Sequence, residues 1–545
     1  MADLILTNGR FFTLWSERPR VSAIAVRGGR IVAAGDEAEI QGLRGARTPM
    51  IDLRGRTVIP GLTDSHVHLM LYGRYALMWA DLGGSRSIAE MLNRLRDHAF
   101  SSALEGGGWE EGEDGVDSFH PHPSPLPCRA REEGPSEWIL GRGFDQEILA
   151  ERRFPTREDL DEVSRDRPIL ISRLCGHACV VNSRAIELAG PERLPEAGRE
   201  SGLLTEGDMD PVWEQMPGAS FEQLVEAGTF AAAKARSTGI TAVHCLINSM
   251  DELNALRHLH ASGRLPVRFY VQVSYSMFPE LTKEGLKTGS GDDMLRIGSV
   301  KMFADGSMGA RTAALSEDFA DDPGNRGILL HTDEELTDMV RNVHGAGRQA
   351  AIHAIGDRAV EQAVNAIETV LAETGEDNSA RRHRVEHASI LSEKLVERMA
   401  RLKILAAVQP QFIVTDFWTI DRVGPERYRW AYPFRTLMES GVPMSLGSDC
   451  PVERLDAFEL ICRAVTRDEY SPDECLTVED AVRLYALGGA HAAFEEANRG
   501  SIEPGKLADM VVLDRDIFNI PASEIAECRA ELVLVGGTLS RASAA

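Results

Sequence analysis

Long apolar runs are missing from this 545-residue sequence. No stretch approaches the roughly 20 apolar residues that a membrane span requires, so a membrane protein is not expected. The opening residues, Met1-Ala2-Asp3-Leu4-Ile5-Leu6-Thr7-Asn8-Gly9-Arg10, lack the basic start and apolar core of a secretory signal. Basic residues are also in short supply. There are 59 lysines and arginines against 84 aspartates and glutamates, a formal charge of −25. A phosphate backbone and an anionic bilayer both call for a basic face, so neither nucleic acid nor a membrane is an expected partner. Cysteine is sparse as well. Eight cysteines in a chain this long do not form a disulfide framework, and a reducing cytoplasm is the expected compartment. Cys175-Gly176-His177-Ala178-Cys179 has no second pair at zinc-finger spacing, so its thiols are expected to be free.

What is present is the composition of a globular protein, 43% apolar, long enough for two or three domains. Residues 1–59 read as short strands with turns. Leu4-Ile5-Leu6 runs into Asn8-Gly9, a hairpin signal, and Ala23–Val26 and Ile31–Ala34 flank Gly28-Gly29. The far end, residues 500–545, has the same texture in Ala508–Leu513 and Glu531–Val535. Neither piece is large enough to fold alone, which predicts one β-sandwich built from both termini. Between them, over 60–499, apolar strand-like runs alternate with helix-like segments, the pattern of a parallel sheet with helical crossovers. The runs are Val58–Thr63, Ile240–His244, Val267–Val273, Ser299–Phe303, Gln349–His353, Arg384–Glu386, Leu405–Val408 and Pro443–Leu446. Eight strands predict a closed (β/α)8 barrel, whose active site lies at the strands' C-terminal ends. The first and second strands stand too far apart for a βα unit of about 30 residues, so a subdomain is expected at about 85–215. Within it, residues 105–135 are rich in Gly, Pro, Ser and Glu and read as a mobile, solvated loop, His120 and His122 included.

Polar residues interrupt these strands where a barrel carries chemistry. His66 and His68 are two apart and share one face of the first strand, as a metal would require. Lys301 lies on the fourth strand, His353 ends the fifth, His387 ends the sixth, and Asp449 follows the eighth. Each alone is weak; four histidines, a lysine and an aspartate in this order are far more specific. An ammonium beside divalent cations at low dielectric is strongly repelled, which leaves Lys301 three readings. It carries a carbamate that bridges two metals, it pairs as a cation with Asp305 or Glu386 beside one metal, or it snorkels to the barrel rim.

With these residues in hand the chain resembles the amidohydrolase superfamily, in particular the amidohydrolase 3 branch that includes N-substituted formamide deformylases. The resemblance runs through Pro60–His68, Gly176-His177 with Asn182-Ser183, Lys301–Gly309, His353–Ala359, Glu386-His387-Ala388, Gly447–Val452 and Gly505–Asp509. It implies a metal-bearing (β/α)8 barrel with a sandwich from both chain ends, and a carboxylated Lys301. His66, His68 and Asp449 would then hold one divalent metal and His353 and His387 a second, with Lys301 between them. Zinc is expected from such ligands, one or two per chain, although manganese, iron or nickel fit the same cage. The expected reaction is hydrolysis of a nonpeptide carbon–nitrogen bond in an amide or formamide-like small molecule. Metal-activated hydroxide attacks, and Asp449 takes the proton and returns it to the departing nitrogen. Asp64 is expected to orient a ligand histidine or to cap a turn. His177 and Arg311 are the expected substrate contacts, His244 a core residue, and Gln409 and Gln411 further hydrogen-bonding candidates. The competing readings are a mononuclear-metal deaminase of a nitrogen heterocycle and a noncatalytic barrel scaffold. A homodimer is the assembly to test.

Overall fold

The computed structural model describes residues 1–104 and 138–542. The 105–135 segment, with His120 and His122, lies outside the described residues. Two compact units are present: Met1–Met70 with Gly228–Ala544, and Leu71–Ala227.

The first unit contains the expected (β/α)8 barrel. Its strands are Leu62–Val67, Ile240–Ile247, Arg268–Ser274, Leu295–Phe303, Ala350–Ala354, Arg384–His387, Leu405–Val408 and Met444–Leu446, hydrogen-bonded in that order. Every ladder is parallel. The strands are buried along nearly their whole length, as continuous apolar runs with helices outside them require. The helices carry local signals that fix their starts. Thr332 caps Asp333–Gly345 through a reciprocal pairing with Glu335, and Ser392 caps Glu393–Leu402.

One strand differs from expectation. Thr57–Pro60 does not belong to the barrel. It pairs with Arg10-Phe11 on one side and Met510–Val512 on the other, inside a six-stranded sheet drawn from both chain ends. The chain changes sheets at Gly61. Its backbone N–H donates to Asp509 O at 2.9 Å, and a Cβ there would stand 2.3 Å from Thr241 Oγ1, so only glycine permits the crossing. A four-stranded sheet from the N-terminal residues completes the pair. Leu6, Ile24 and Val26 from that sheet pack with Phe11, Val58, Met510, Val512 and Leu534 from the other in one core. Arg268 on the third barrel strand reaches Asp509 with two hydrogen bonds of 2.7 and 2.8 Å, both residues buried.

The seam between the eighth and first strands positions the site. The Asp449 N–H donates to His66 O and the His68 N–H to Cys450 O, both at 2.7 Å. Asp64 Oδ1 accepts the Ser448 N–H at 2.9 Å, and Ser65 Oγ donates to Leu446 O at 2.7 Å. Gly447 makes this closeness possible, because a Cβ on it would lie 2.6 Å from His66 N. Gly447→Ala therefore drives His66 off its position. We expect a loss of about 1–3 kcal/mol in denaturant unfolding, with reduced metal retention. An unchanged unfolding midpoint would remove the seam from the account.

The second unit is a five-stranded sheet ordered Leu203–Thr205, Ala178–Val181, Ile169–Arg173, Ile139–Phe144, Ala80–Asp81. Side-chain alternation divides it cleanly. Ile169, Ile171 and Val180 face one apolar cluster, while Leu170, Cys179 and Val181 face the other. Among the described residues no helix is long and apolar enough to cross a membrane.

Candidate metal centre

His66 sits within the first barrel strand and His68 just beyond it, with ring centroids 5.6 Å apart. Both present Nε2 to Asp449 Oδ1, at 3.4 and 3.1 Å. These three residues offer one ligand atom each, all within 4.8 Å of one another. His387 lies 4.9 Å from His66 and 4.5 Å from His353, ring to ring. Lys301 Nζ is 3.4 Å from His66 Nε2 and 4.7 Å from the Phe303 ring. The structure thus gathers His66, His68, Lys301, His353, His387 and Asp449 at the C-terminal end of the barrel.

The ring nitrogens reveal how the cluster is set. His66 Nδ1 is bonded to Glu386, which can only accept, so the ring carries its proton there and keeps its lone pair on Nε2. His387 Nδ1 meets Gln409 Oε1 at 2.8 Å; Gln409 Nε2 is committed to Ala407 O, which fixes the amide's orientation. The His387 lone pair is therefore also on Nε2. His353 is reversed. Its Nε2 donates to Gly306 O at 2.9 Å, leaving Nδ1 as the basic nitrogen. Asp449 Oδ1 is buried and makes no well-formed hydrogen bond, although two imidazole nitrogens stand close by. Such an oxygen is costly unless a cation completes it. Three histidines with chosen lone pairs and an uncompensated carboxylate oxygen fit a divalent cation.

Burial and Lys301 act to lower the His66 imidazole, but Glu386 and Asp449 raise it; the other groups follow the geometry. Burial would raise the Glu386 carboxyl, but Arg384 and then His66 outweigh it and hold it well below the usual range. Burial likewise works against Asp449, yet His66 and then His68 keep it strongly acidic. Burial depresses His68, and pushes His387 down to about 3, so both imidazoles are neutral at pH 7. Burial also lowers Lys301 to about 8. Asp449 and His387 have left-handed backbones, φ +58° and +72°. At His387 this matters. Strand alternation would turn Glu386 and His387 to opposite faces, and the positive φ brings the imidazole into the cluster.

Other expectations fare differently. Neither Asp305 nor Glu386 pairs with Lys301. Asp305 accepts the N–H groups of Ala314, Ile355 and Gly356, and Glu386 is taken by Arg384 and His66. Asp64 touches backbone N–H groups rather than an imidazole, so histidine orientation falls to Glu386 instead. Gln409 holds His387. Arg311 is engaged by Asp321 at 2.8 Å, outside the cluster. His177 belongs to the second unit, where its Nδ1 meets Glu206 at 3.0 Å. His244, buried, accepts from Arg384 Nη1 at 3.0 Å, as a core histidine. Sequence reading missed Arg384, although Arg384 and Glu386, two apart on a strand, share a face. That alternation was the available signal.

This is the layout of a metal-dependent enzyme on a (β/α)8 barrel. Comparison with known proteins agrees. The model of the amidohydrolase family matches residues 50–540. A putative amidohydrolase of Bacillus subtilis, YtcJ, is 31% identical, over 97% of this chain and 98% of its own. The N-substituted formamide deformylase of Arthrobacter pascens is 25% identical, over 99% and 98%. An uncharacterized metal-dependent hydrolase from Pyrococcus horikoshii superposes with a TM-score of 0.75 at 29% identity, covering 95% of this chain and 99% of that one. The chain belongs to the amidohydrolase family. It is a metal-dependent amidohydrolase, a hydrolase of carbon–nitrogen bonds in small molecules.

Proposed function

We propose that the chain hydrolyses a formamide-like amide at a centre of two divalent metals, with zinc the best match to imidazole and carboxylate donors. His66, His68 and Asp449 would hold one ion, and His353 through Nδ1 and His387 through Nε2 the other. The observation that carries this reading is the fixed ring polarity of His66, His353 and His387, each donating one N–H to a pure acceptor. Divalent cations there would acidify water and polarise the amide carbonyl.

Lys301 is read as a carbamate. Its amine forms a C–N bond to carbon dioxide and loses one proton, giving an anion with two oxygens. The support is geometric: Lys301 is 1% exposed, and no carboxylate lies within salt-bridge distance of it among the described residues. Asp449 receives the proton of the attacking water and delivers it to the departing nitrogen. Glu386, braced by Arg384, keeps His66 in one tautomer throughout. Gln409 does the same for His387. His177 and Arg311 stand as proposed substrate contacts. Arg311 would have to exchange Asp321 for substrate.

The described cysteines, seven in all, are free thiols, which supports a reducing cytoplasmic setting. The formamide class is supported by the relationship to the Arthrobacter enzyme. The test is turnover of N-formyl amines by the purified enzyme. Activity should vanish on chelation and return on adding zinc, manganese or nickel. Turnover that survives exhaustive chelation contradicts the reading, and hydrolysis confined to ring amidines moves it to deamination.

A further inference from the structure

Glu453 lies beyond Asp449 on the loop that follows the eighth barrel strand. Gln411 and Thr415 lie on the segment that follows the seventh. Both are therefore at the end of the barrel that carries the metal cluster. Glu453 is only 9% exposed, and Gln411 2%. A buried carboxyl usually has a cationic partner. Among the described residues Glu453 has no lysine, arginine or histidine within salt-bridge distance, and its one hydrogen bond is to Thr415 Oγ1.

That hydroxyl is informative. Thr415 Oγ1 also lies 3.3 Å from Gln411 O. A hydroxyl has one proton to give, so both contacts are made only when the carboxyl supplies the other. This pair of contacts favours Glu453 as the neutral acid. Burial acts in the same sense, with Asp416, Glu459 and Asp449 adding repulsion, and lifts the group to about 8.

Gln411 gives an independent indication. Its Nε2 donates to Arg454 O at 3.1 Å, the peptide next to Glu453. The amide cannot be reversed, because its oxygen would then face a carbonyl. Gln411 Oε1 is consequently fixed, buried and without a hydrogen bond. Gln411 Oε1 thus lacks a donor, and Glu453 has no polar partner but the Thr415 hydroxyl among the described residues. A metal ion would need more ligands than one carboxylate and one amide supply. An organic ammonium, with three N–H groups and a charge, suits them.

We propose that Glu453 and Gln411 form a subsite for a protonated amine, so that the preferred substrates are amides that carry a second, cationic nitrogen. This rests on the amide-hydrolase reading above and names the substrate class for the same site. When the ammonium binds, Glu453 gives up its proton to solvent and the charges pair.

The experiment compares N-formyl-diaminobutane with N-formyl-pentylamine, an isostere that lacks the charge, on the metal-loaded enzyme. Wild type should favour the charged compound by about tenfold or more in kcat/KM, as expected for a hydrogen-bonded charge. Its binding should release a proton, seen as a heat that depends on buffer ionisation. Glu453→Gln should bring the two compounds close to parity and abolish the release. Glu459→Gln, on the following helix, should retain the preference, which separates a specific contact from a general negative field. Equal handling of the pair by wild type, including failure to bind either, overturns the proposal. So does a preference that survives Glu453→Gln. Turnover of the uncharged compound reports separately on the hydrolase reading.

Discussion

Asp449→Asn lowers kcat/KM by about 10²–10⁴-fold, the range for loss of a positioned proton acceptor, and leaves the fold intact. The substitution is isosteric. The Asp449 backbone N–H still reaches His66 O across the barrel seam, and the left-handed backbone at φ +58° is one that asparagine tolerates. What changes is the oxygen that faces His66 and His68. As a carboxylate it accepts a proton and attracts a cation; as an amide it does neither well. The measurement is steady-state kinetics at saturating metal, with circular dichroism and thermal unfolding as controls. Excess metal separates weakened binding from lost proton transfer, because only the first is restored. Activity within about tenfold of wild type would exclude Asp449 as the general base.

Arg384→Met destabilises the protein by about 3–5 kcal/mol, the cost of stranding a buried charge. Arg384 is fully buried and donates to both oxygens of Glu386, to Ser65 O at 2.7 Å and to His244 Nδ1 at 3.0 Å. Its loss leaves Glu386 with His66 alone. Arg384→Met combined with Glu386→Gln should recover part of the stability, because the stranded charge is gone, but not metal affinity, because His66 loses its strong acceptor. The pH dependence follows from the sign of the shift. The Glu386 pKa is depressed in the folded protein, so its contribution is fully present above the unfolded carboxylate value of about 4.3 and is lost as pH falls through the lower folded value. Glu386→Gln should accordingly flatten the acid limb of the stability curve. Denaturant unfolding across pH checks this. A cost under about 1 kcal/mol for Arg384→Met would make the relay dispensable.

The barrel was legible because its eight strands are continuous apolar runs separated by helical periodicity, and each expected strand has a counterpart. The expected strand Val58–Thr63 straddles two observed ones, Thr57–Pro60 and Leu62–Val67, for a physical reason. An apolar run that ends at glycine looks the same whether it enters a barrel or crosses between two sheets, and the deciding contacts, Asp509 and Thr241, are distant in sequence. The six clustered residues were legible from their places at strand ends. Their supporting residues were not. Which nitrogen of His353 stays basic depends on a carbonyl at Gly306, and the orientation of His387 depends on a positive φ that no propensity predicts. Arg311 was read from its place after the fourth strand and His177 from a family-like phrase, whereas Asp321 and Glu206 engage them in ways that require the fold. Glu453 gave no signal in the sequence, since a single glutamate in a loop is ordinarily solvated. Only its burial without a cation distinguishes it.

Metal content per chain separates a two-metal centre joined through a carboxylated Lys301 from a mononuclear one. Wild type and Lys301→Ala should be analysed after expression with and without bicarbonate. About two divalent ions per wild-type chain are expected, fewer when carbon dioxide is limiting, with loss of at least one in Lys301→Ala. A single ion that remains at full occupancy in Lys301→Ala, indifferent to bicarbonate, would contradict the bridge and turn the substrate search to deamination.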